Sequence, residues 1–210
     1  MKRCLIIDDH VIVRRGAHQL LAEVWPAAEF GEAAGVAAGR ELLLRADWEL
    51  VLLDINLPGG NGFELLAEAR QRCPGAAVLV FSAYPEEEFA TRAFKLGAAG
   101  YLTKASLADE MLLAVRRVLA GGKYVSGSLA EHLAAALGDG CAQALHETLS
   151  PRELEVLRQV AQGRSAREIA AALSVSESTV GTYRSRIADK LQVSTSVELT
   201  RYALKHGLHR

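Results

Sequence analysis

The chain has 210 residues, half of them hydrophobic and 23% charged, with a formal net charge of −1. This balance is that of an ordinary soluble globular protein of one or two domains. No apolar stretch is long enough to span a bilayer, and the apolar segment behind Met1-Lys2-Arg3 stops at Asp8, too short for a signal peptide, so a cytoplasmic location without a membrane partner is expected.

The three cysteines, Cys4, Cys73 and Cys141, are far apart and show no metal-ligand spacing, which points to reduced thiols. The small net charge hides an asymmetry. Residues 1–121 carry 13 Lys/Arg against 16 Asp/Glu, whereas residues 148–210 carry 10 against 6. A basic C-terminal part beside an acidic N-terminal one suggests a nucleic-acid partner for the former.

In chain order, short apolar runs alternate with amphipathic segments. Strands are predicted near residues 4–8, 28–33, 50–54, 77–82 and 100–103, and helices near 11–22, 36–46, 63–72, 86–96 and 107–120. This alternation predicts an α/β, doubly wound parallel sheet. Gly121-Gly122 ends the fifth helix. In the connector, 122–147, a helix over Ser128 to Leu137 and a hinge at Gly138-Asp139-Gly140 are expected. The last 63 residues predict four helices. Ser150-Pro151-Arg152-Glu153 opens the first, Ser165 with Glu168 the second, Ser176 the third (to about Leu191), and Ser194 or Thr195 the fourth.

Several predicted strands end in polar chemistry. Cys4-Leu5-Ile6-Ile7 runs into Asp8-Asp9, Leu50-Val51-Leu52-Leu53 into Asp54, Val78-Leu79-Val80-Phe81 into Ser82, and Gly100-Tyr101-Leu102-Thr103 into Lys104. Ligands of open α/β sheets gather beyond the strand C-termini. If the first and third strands are neighbours, Asp8, Asp9 and Asp54 meet there, and three crowded carboxylates resist ionising. A hard divalent cation such as Mg2+, which takes oxygen ligands, relieves that. His10, directly after the acid pair, reads as a helix-start residue rather than a ligand.

These residues, in this order, resemble a two-component receiver domain of flavodoxin-like fold over 1–121. The resemblance implies that Asp54 is the phosphoacceptor, with a sensor histidine kinase or a small acyl phosphate as donor. It implies Mg2+ held by Asp54, Asp9 and the backbone carbonyl of Asn56, with Asp8 nearby or acting through water. Lys104 and Ser82 would bind the phosphoryl oxygens, and Tyr101 would be the switch aromatic. Asn56 and Tyr84 would tune phosphoryl lifetime. Ala105 departs from the proline common after the lysine.

Residues 148–210 resemble a LuxR-type helix-turn-helix domain. The matching segments are Leu149-Ser150-Pro151-Arg152-Glu153, Gly163-Arg164-Ser165 with Glu168-Ile169-Ala170, Val175 to Val180, and Arg184 to Leu191. With a receiver in front and 122–147 as a helical linker, this resembles the NarL/FixJ group of response regulators: transcription regulators, not enzymes, that form homodimers on DNA. On the third helix Val180, Ile187 and Leu191 share a buried face. Thr179, Tyr183, Arg186 and Lys190 are candidate phosphate contacts, and Thr182, Arg184 and Ser185 candidate base readers. Gly181 departs from the frequent lysine, and Ala166 from a common asparagine. Val197, Leu199, Ala203 and Leu204 of the fourth helix are expected to serve as core or dimer seam. The rivals are a receiver that switches by dimerisation or protein contacts independently of phosphorylation, and a metal-dependent phosphatase. No second acid stands two residues after Asp54 to support the phosphatase.

Overall fold

The structure is a computed structural model and describes residues 2–106, 108–131 and 145–208. The chain forms two compact units, Met1–Cys141 and Ala142–Arg210.

In the first unit the described elements alternate: β1 (Arg3–Ile7), α1 (Val11–Val24), β2 (Glu29–Ala33), α2 (Val36–Leu43), β3 (Leu50–Leu53), α3 (Gly62–Arg72), β4 (Ala77–Ser82), α4 (Glu86–Lys95), β5 (Gly100–Thr103) and α5 (Ala108–Leu119). The sheet is wholly parallel, in the order β2-β1-β3-β4-β5. β3 is buried at all four positions and β4 at five of six. Helices cover both faces of a parallel sheet, so its central strands are apolar without alternation. Each fully buried Leu or Val contributes about 1.5–3 kcal/mol.

The sheet order makes the predicted meeting of acids a matter of register. The chain leaves β1 for β2 on one side and returns to β3 on the other, which opens a crevice at the strand C-termini. Ile7 pairs with Leu53. The ladder then continues one residue further: Asp54 donates its N–H to Ile7 O (2.8 Å), Asp8 to Ala33 O (3.0 Å) and Lys104 to Ser82 O (2.7 Å). Backbone pairing thus brings Asp8, Asp54, Ser82 and Lys104 to the same edge.

The loop after Asp54 is held by Asn61, whose side chain accepts from the Phe63 N–H at 3.0 Å and caps α3. Only glycine fits at 62, because a Cβ there would lie 2.4 Å from Ile55 Cα.

Among the described residues of the second unit a 3-10 turn, Leu145–Thr148, precedes four helices: α6 (Pro151–Ala161), α7 (Ala166–Leu173), α8 (Glu177–Leu191) and α9 (Ser196–Lys205). Capping boxes at Ser150/Glu153, Ser165/Glu168 and Thr195/Glu198 start α6, α7 and α9, and Ser176 caps α8. Ser174 turns the chain from α7 into α8 with φ 54°. Leu154, Leu157, Ile169, Val180, Ile187, Leu191, Leu199 and Ala203 are among the buried residues of this unit. The α9 residues expected as core or dimer seam divide: Leu199 and Ala203 are core, while Val197 and Leu204 are 67% and 52% exposed.

One predicted boundary needs adjustment, and two features of the connector bear on the rest. α2 ends at Leu43 rather than near 46, since Trp48 turns inward and donates its indole N–H to Leu42 O. The turn at 145–148 carries no apolar period and was not expected. A helical segment occupies 127–131, but the rest of the expected helix to Leu137 and the hinge at 138–140 lie outside the described residues.

Candidate functional site

At the sheet edge Lys104 lies between two acids. Its Nζ is 2.6 Å from Asp8 Oδ2 and 2.6 Å from Asp54 Oδ2. The Ser82 hydroxyl donates to Asp54 Oδ1 at 3.1 Å, and the Asn56 N–H donates to the same oxygen at 2.9 Å. Asp8 and Asp54 are each 2% exposed. Burial pushes the Asp54 carboxyl above its ordinary range, against the pull of Lys104 and the Asn56 N–H, and Asp8 adds to the rise. Burial also works against the Lys104 ammonium, but Asp54 and Asp8 outweigh it and hold that group above its usual value.

Asp9 and His10 complete the cluster. One ligand atom from each of Asp8, Asp9, His10 and Asp54 lies within 4.8 Å of the others. His10 precedes α1 as its N-cap, as expected, and donates its N–H to Asp8 Oδ1 at 2.8 Å. Its ring was not expected at the acids, yet Nδ1 is 3.2 Å from Asp8 Oδ1 and 2.7 Å from Asp9 Oδ1. The latter approach lacks hydrogen-bond alignment, so Asp9 Oδ1 is buried without a hydrogen-bond donor. Three carboxylates with one orphaned oxygen fit a hard divalent cation.

Tyr101 points inward and is fully buried, its hydroxyl donating to Tyr84 O at 3.1 Å. Burial raises its pKa, the Ser82 hydroxyl opposes the rise, and the charges of Asp54, Glu86 and Glu88 reinforce it.

On α8, Thr182, Ser185 and Arg186 are exposed, with Thr179, Tyr183, Arg184 and Lys190 partly so. Thr182 Oγ1 donates back to Ser178 O, and Thr179 Oγ1 lies 2.7 Å from Ser176 Oγ. Two of the predicted basic DNA contacts also reach side chains of other helices. Arg184 Nη2 donates to Ser196 Oγ at 2.6 Å. Lys190 Nζ donates to Glu153 Oε2 at 2.7 Å, where the 4%-exposed Glu153 side chain also accepts from the Ser150 N–H.

Joined in one chain, these units define a class: regulators of transcription that carry their own signal-receiving domain. Residues 4–116 match the response regulator receiver domain, and residues 147–203 match the bacterial regulatory proteins of the luxR family. The chain is 36% identical over 212 residues to the response regulator GacA of Pseudomonas protegens, covering 99% of this chain and 98% of that one. It is 36% identical over 196 residues to the nitrate/nitrite response regulator NarL of Escherichia coli, covering 92% and 91%. Among solved structures it resembles RcsB of Salmonella enterica serovar Typhimurium bound to promoter DNA with the phosphomimetic BeF3− (TM-score 0.60, 26% identity, 96% and 97% coverage). A second RcsB structure holds two dimers on two parallel DNAs (TM-score 0.58, 25% identity, 96% and 97% coverage).

The chain belongs to the response regulators with a receiver and a LuxR-type DNA-binding domain. It is a DNA-binding regulator of transcription rather than an enzyme. Among the described residues no helix is long and apolar enough to cross a membrane.

Proposed function

We propose that phosphorylation of Asp54 sets the DNA occupancy of this regulator. The observation that carries the reading is the Asp54 carboxylate held between the Lys104 ammonium (2.6 Å) and the Ser82 hydroxyl (3.1 Å). A carboxylate oxygen of Asp54 attacks the donor phosphorus, an acyl phosphate forms, and the leaving group departs with its bonding electrons. Lys104 then exchanges its Asp54 contact for a phosphoryl oxygen, as a point charge on a flexible stem. Ser82 donates to another, drawing its loop inward beside Tyr101.

Asp8, Asp9, Asp54 and the Asn56 carbonyl would hold Mg2+. When bound, Mg2+ neutralises charge on the transferring phosphoryl group. The donor is a sensor histidine kinase or a small acyl phosphate, and the setting is the cytoplasm. The division is 1–121 receiver, 122–147 linker and 148–210 DNA-binding domain.

Phosphorylation shifts an equilibrium toward a form that dimerises on DNA. The structures of RcsB bound to promoter DNA with a phosphomimetic, and of RcsB dimers on DNA, support this. In the DNA complex α8 enters the major groove, Thr182, Arg184 and Ser185 face base edges, and Thr179, Tyr183 and Arg186 face phosphates. Lys190, held by Glu153, supports the fold of this unit instead.

Incubation with labelled acetyl phosphate and Mg2+ tests the phosphoacceptor. Asp54→Asn loses incorporation, and undiminished labelling of that variant would overturn the assignment.

A further inference from the structure

The segment after α5 stays bound to the first unit. Lys123 Nζ donates to Ala98 O at 2.6 Å, Tyr124 donates its N–H to Ala99 O at 2.9 Å, and Tyr124 bridges Gly100 in parallel beside β5. The approach depends on glycine at 100, where a Cβ would lie 3.0 Å from Tyr124 Cβ and 2.9 Å from Leu79 Cδ1. The Tyr124 ring lies in the core that the sheet shares with α5, and its hydroxyl donates to Glu110 Oε1 at 2.8 Å.

Two residues further on, the chain meets the start of α4. The Ser126 and Ser128 hydroxyls both donate to Glu86 Oε1, at 2.5 and 2.6 Å. Ser126 Oγ also accepts from the Leu129 N–H at 3.1 Å, opening the helical segment 127–131, in which Leu129 is fully buried. Capping that segment needs only the Ser126 oxygen. It does not need both hydroxyl protons aimed at a carboxylate 40 residues away in sequence, nor that carboxylate sunk to 8% exposure. A buried carboxylate is costly unless hydrogen-bonded, so the two hydroxyls and the α4 N-terminus stabilise Glu86 where it lies.

Glu86 is also tied to the candidate phosphoacceptor. Ser82, on Asp54, is four residues upstream, and between them the Tyr84 carbonyl is fastened to the Tyr101 hydroxyl. Consecutive Cα atoms are about 3.8 Å apart, so so short a segment has little slack. The Glu86 charge contributes to the upward pKa shifts of both Tyr101 and Tyr124, after burial and nearer groups.

We propose that Glu86, Ser126 and Ser128 form a clamp that makes the start of the linker part of the receiver's switch. A displacement of the Ser82–Glu86 loop passes through the two serine hydroxyls to the helical segment 127–131. The trigger rests on the Asp54 reading above; the clamp does not.

Amide hydrogen exchange on the full chain, with and without beryllofluoride and Mg2+, tests both parts. The variants are Ser126→Ala with Ser128→Ala, and Glu86→Gln, each checked for the parent's circular dichroism. Without beryllofluoride, exchange at 127–131 should rise about tenfold in both variants, as expected for losing charge-assisted hydrogen bonds. With beryllofluoride, protection at 127–131 should change in the parent. In the double serine variant the response should persist at 82–86 and vanish at 127–131. Unchanged basal exchange at 127–131 in both variants overturns the clamp. An equal beryllofluoride response at 127–131 in parent and serine variant overturns the coupling. If beryllofluoride fails to protect the Asp54 edge of the parent, the phosphoacceptor reading fails, and the basal comparison alone decides the clamp.

Discussion

Lys104 reaches Asp54 across fifty residues of sequence, its Nζ 2.6 Å from Oδ2, and touches Asp8 Oδ2 at the same distance. It is the ammonium that offsets two buried acids.

Lys104→Met should therefore expose the repulsion it offsets. Removing one partner of a buried ion pair costs about 3–5 kcal/mol, and the Lys104 side chain is 13% exposed. Urea unfolding in EDTA should show a loss of that order. Millimolar Mg2+ should restore more stability to the variant than to the parent, since a cation binding only the folded form stabilises it. Equal Mg2+ effects in both would argue against metal at these acids.

The pair Lys190–Glu153 calls for a different split. Lys190→Met leaves the Glu153 carboxylate buried with only the Ser150 N–H and should destabilise the C-terminal unit by about 1–3 kcal/mol. It should leave the salt dependence of DNA binding unchanged. Arg186→Ala, at an exposed position, should do the opposite and reduce the slope of log K against log salt by about one. Binding titrations at several salt concentrations separate the two.

Gly181 stands exposed within α8, and a Cβ there would meet nothing within 4 Å. Glycine is thus not required by packing. Gly181→Ala should stabilise the helix by about 1 kcal/mol. Gly181→Lys should in addition steepen the salt slope of DNA binding. A loss of stability in the alanine variant would reveal a constraint that the open space does not.

His146 joins the 3-10 turn to α9. Its N–H donates to the Tyr202 hydroxyl, and its ring lies 5.2 Å from that of His206. Burial and then His206 depress its pKa below 6.5, against the pull of Glu147. The unfolded chain binds this proton first as pH falls. The stability contribution is complete above 6.5 and is lost as pH drops from there through the lower folded value. The melting temperature should fall on acidification through this window, and His146→Asn should flatten the fall.

The receiver site was legible because its chemistry sits at strand ends: a buried parallel strand is a run of apolar residues, and the polar residue that ends it stands out. Asp8, Asp54, Ser82 and Lys104 all stand at such ends. β2, with the sequence Glu29-Phe30-Gly31-Glu32-Ala33, buries only Ala33 and gave the faintest pattern. What stayed hidden depends on where long side chains turn. Lys190, a candidate phosphate contact in the sequence, is also held by Glu153, 37 residues earlier. His10 was assigned by its backbone role, while its ring folds back onto the acids. The Glu86–Ser126–Ser128 contact joins a helix start to a connector, and no periodicity reports such a meeting.

Phosphorylation control of DNA occupancy is tested most directly by titrating full-length parent and Asp54→Asn onto a site selected from random DNA, each with and without acetyl phosphate and Mg2+. The parent should gain about tenfold or more in affinity on phosphorylation, a coupling of ~1.4 kcal/mol, and Asp54→Asn should gain nothing. An equal gain in both proteins, or none in a fully phosphorylated parent, would contradict control through Asp54.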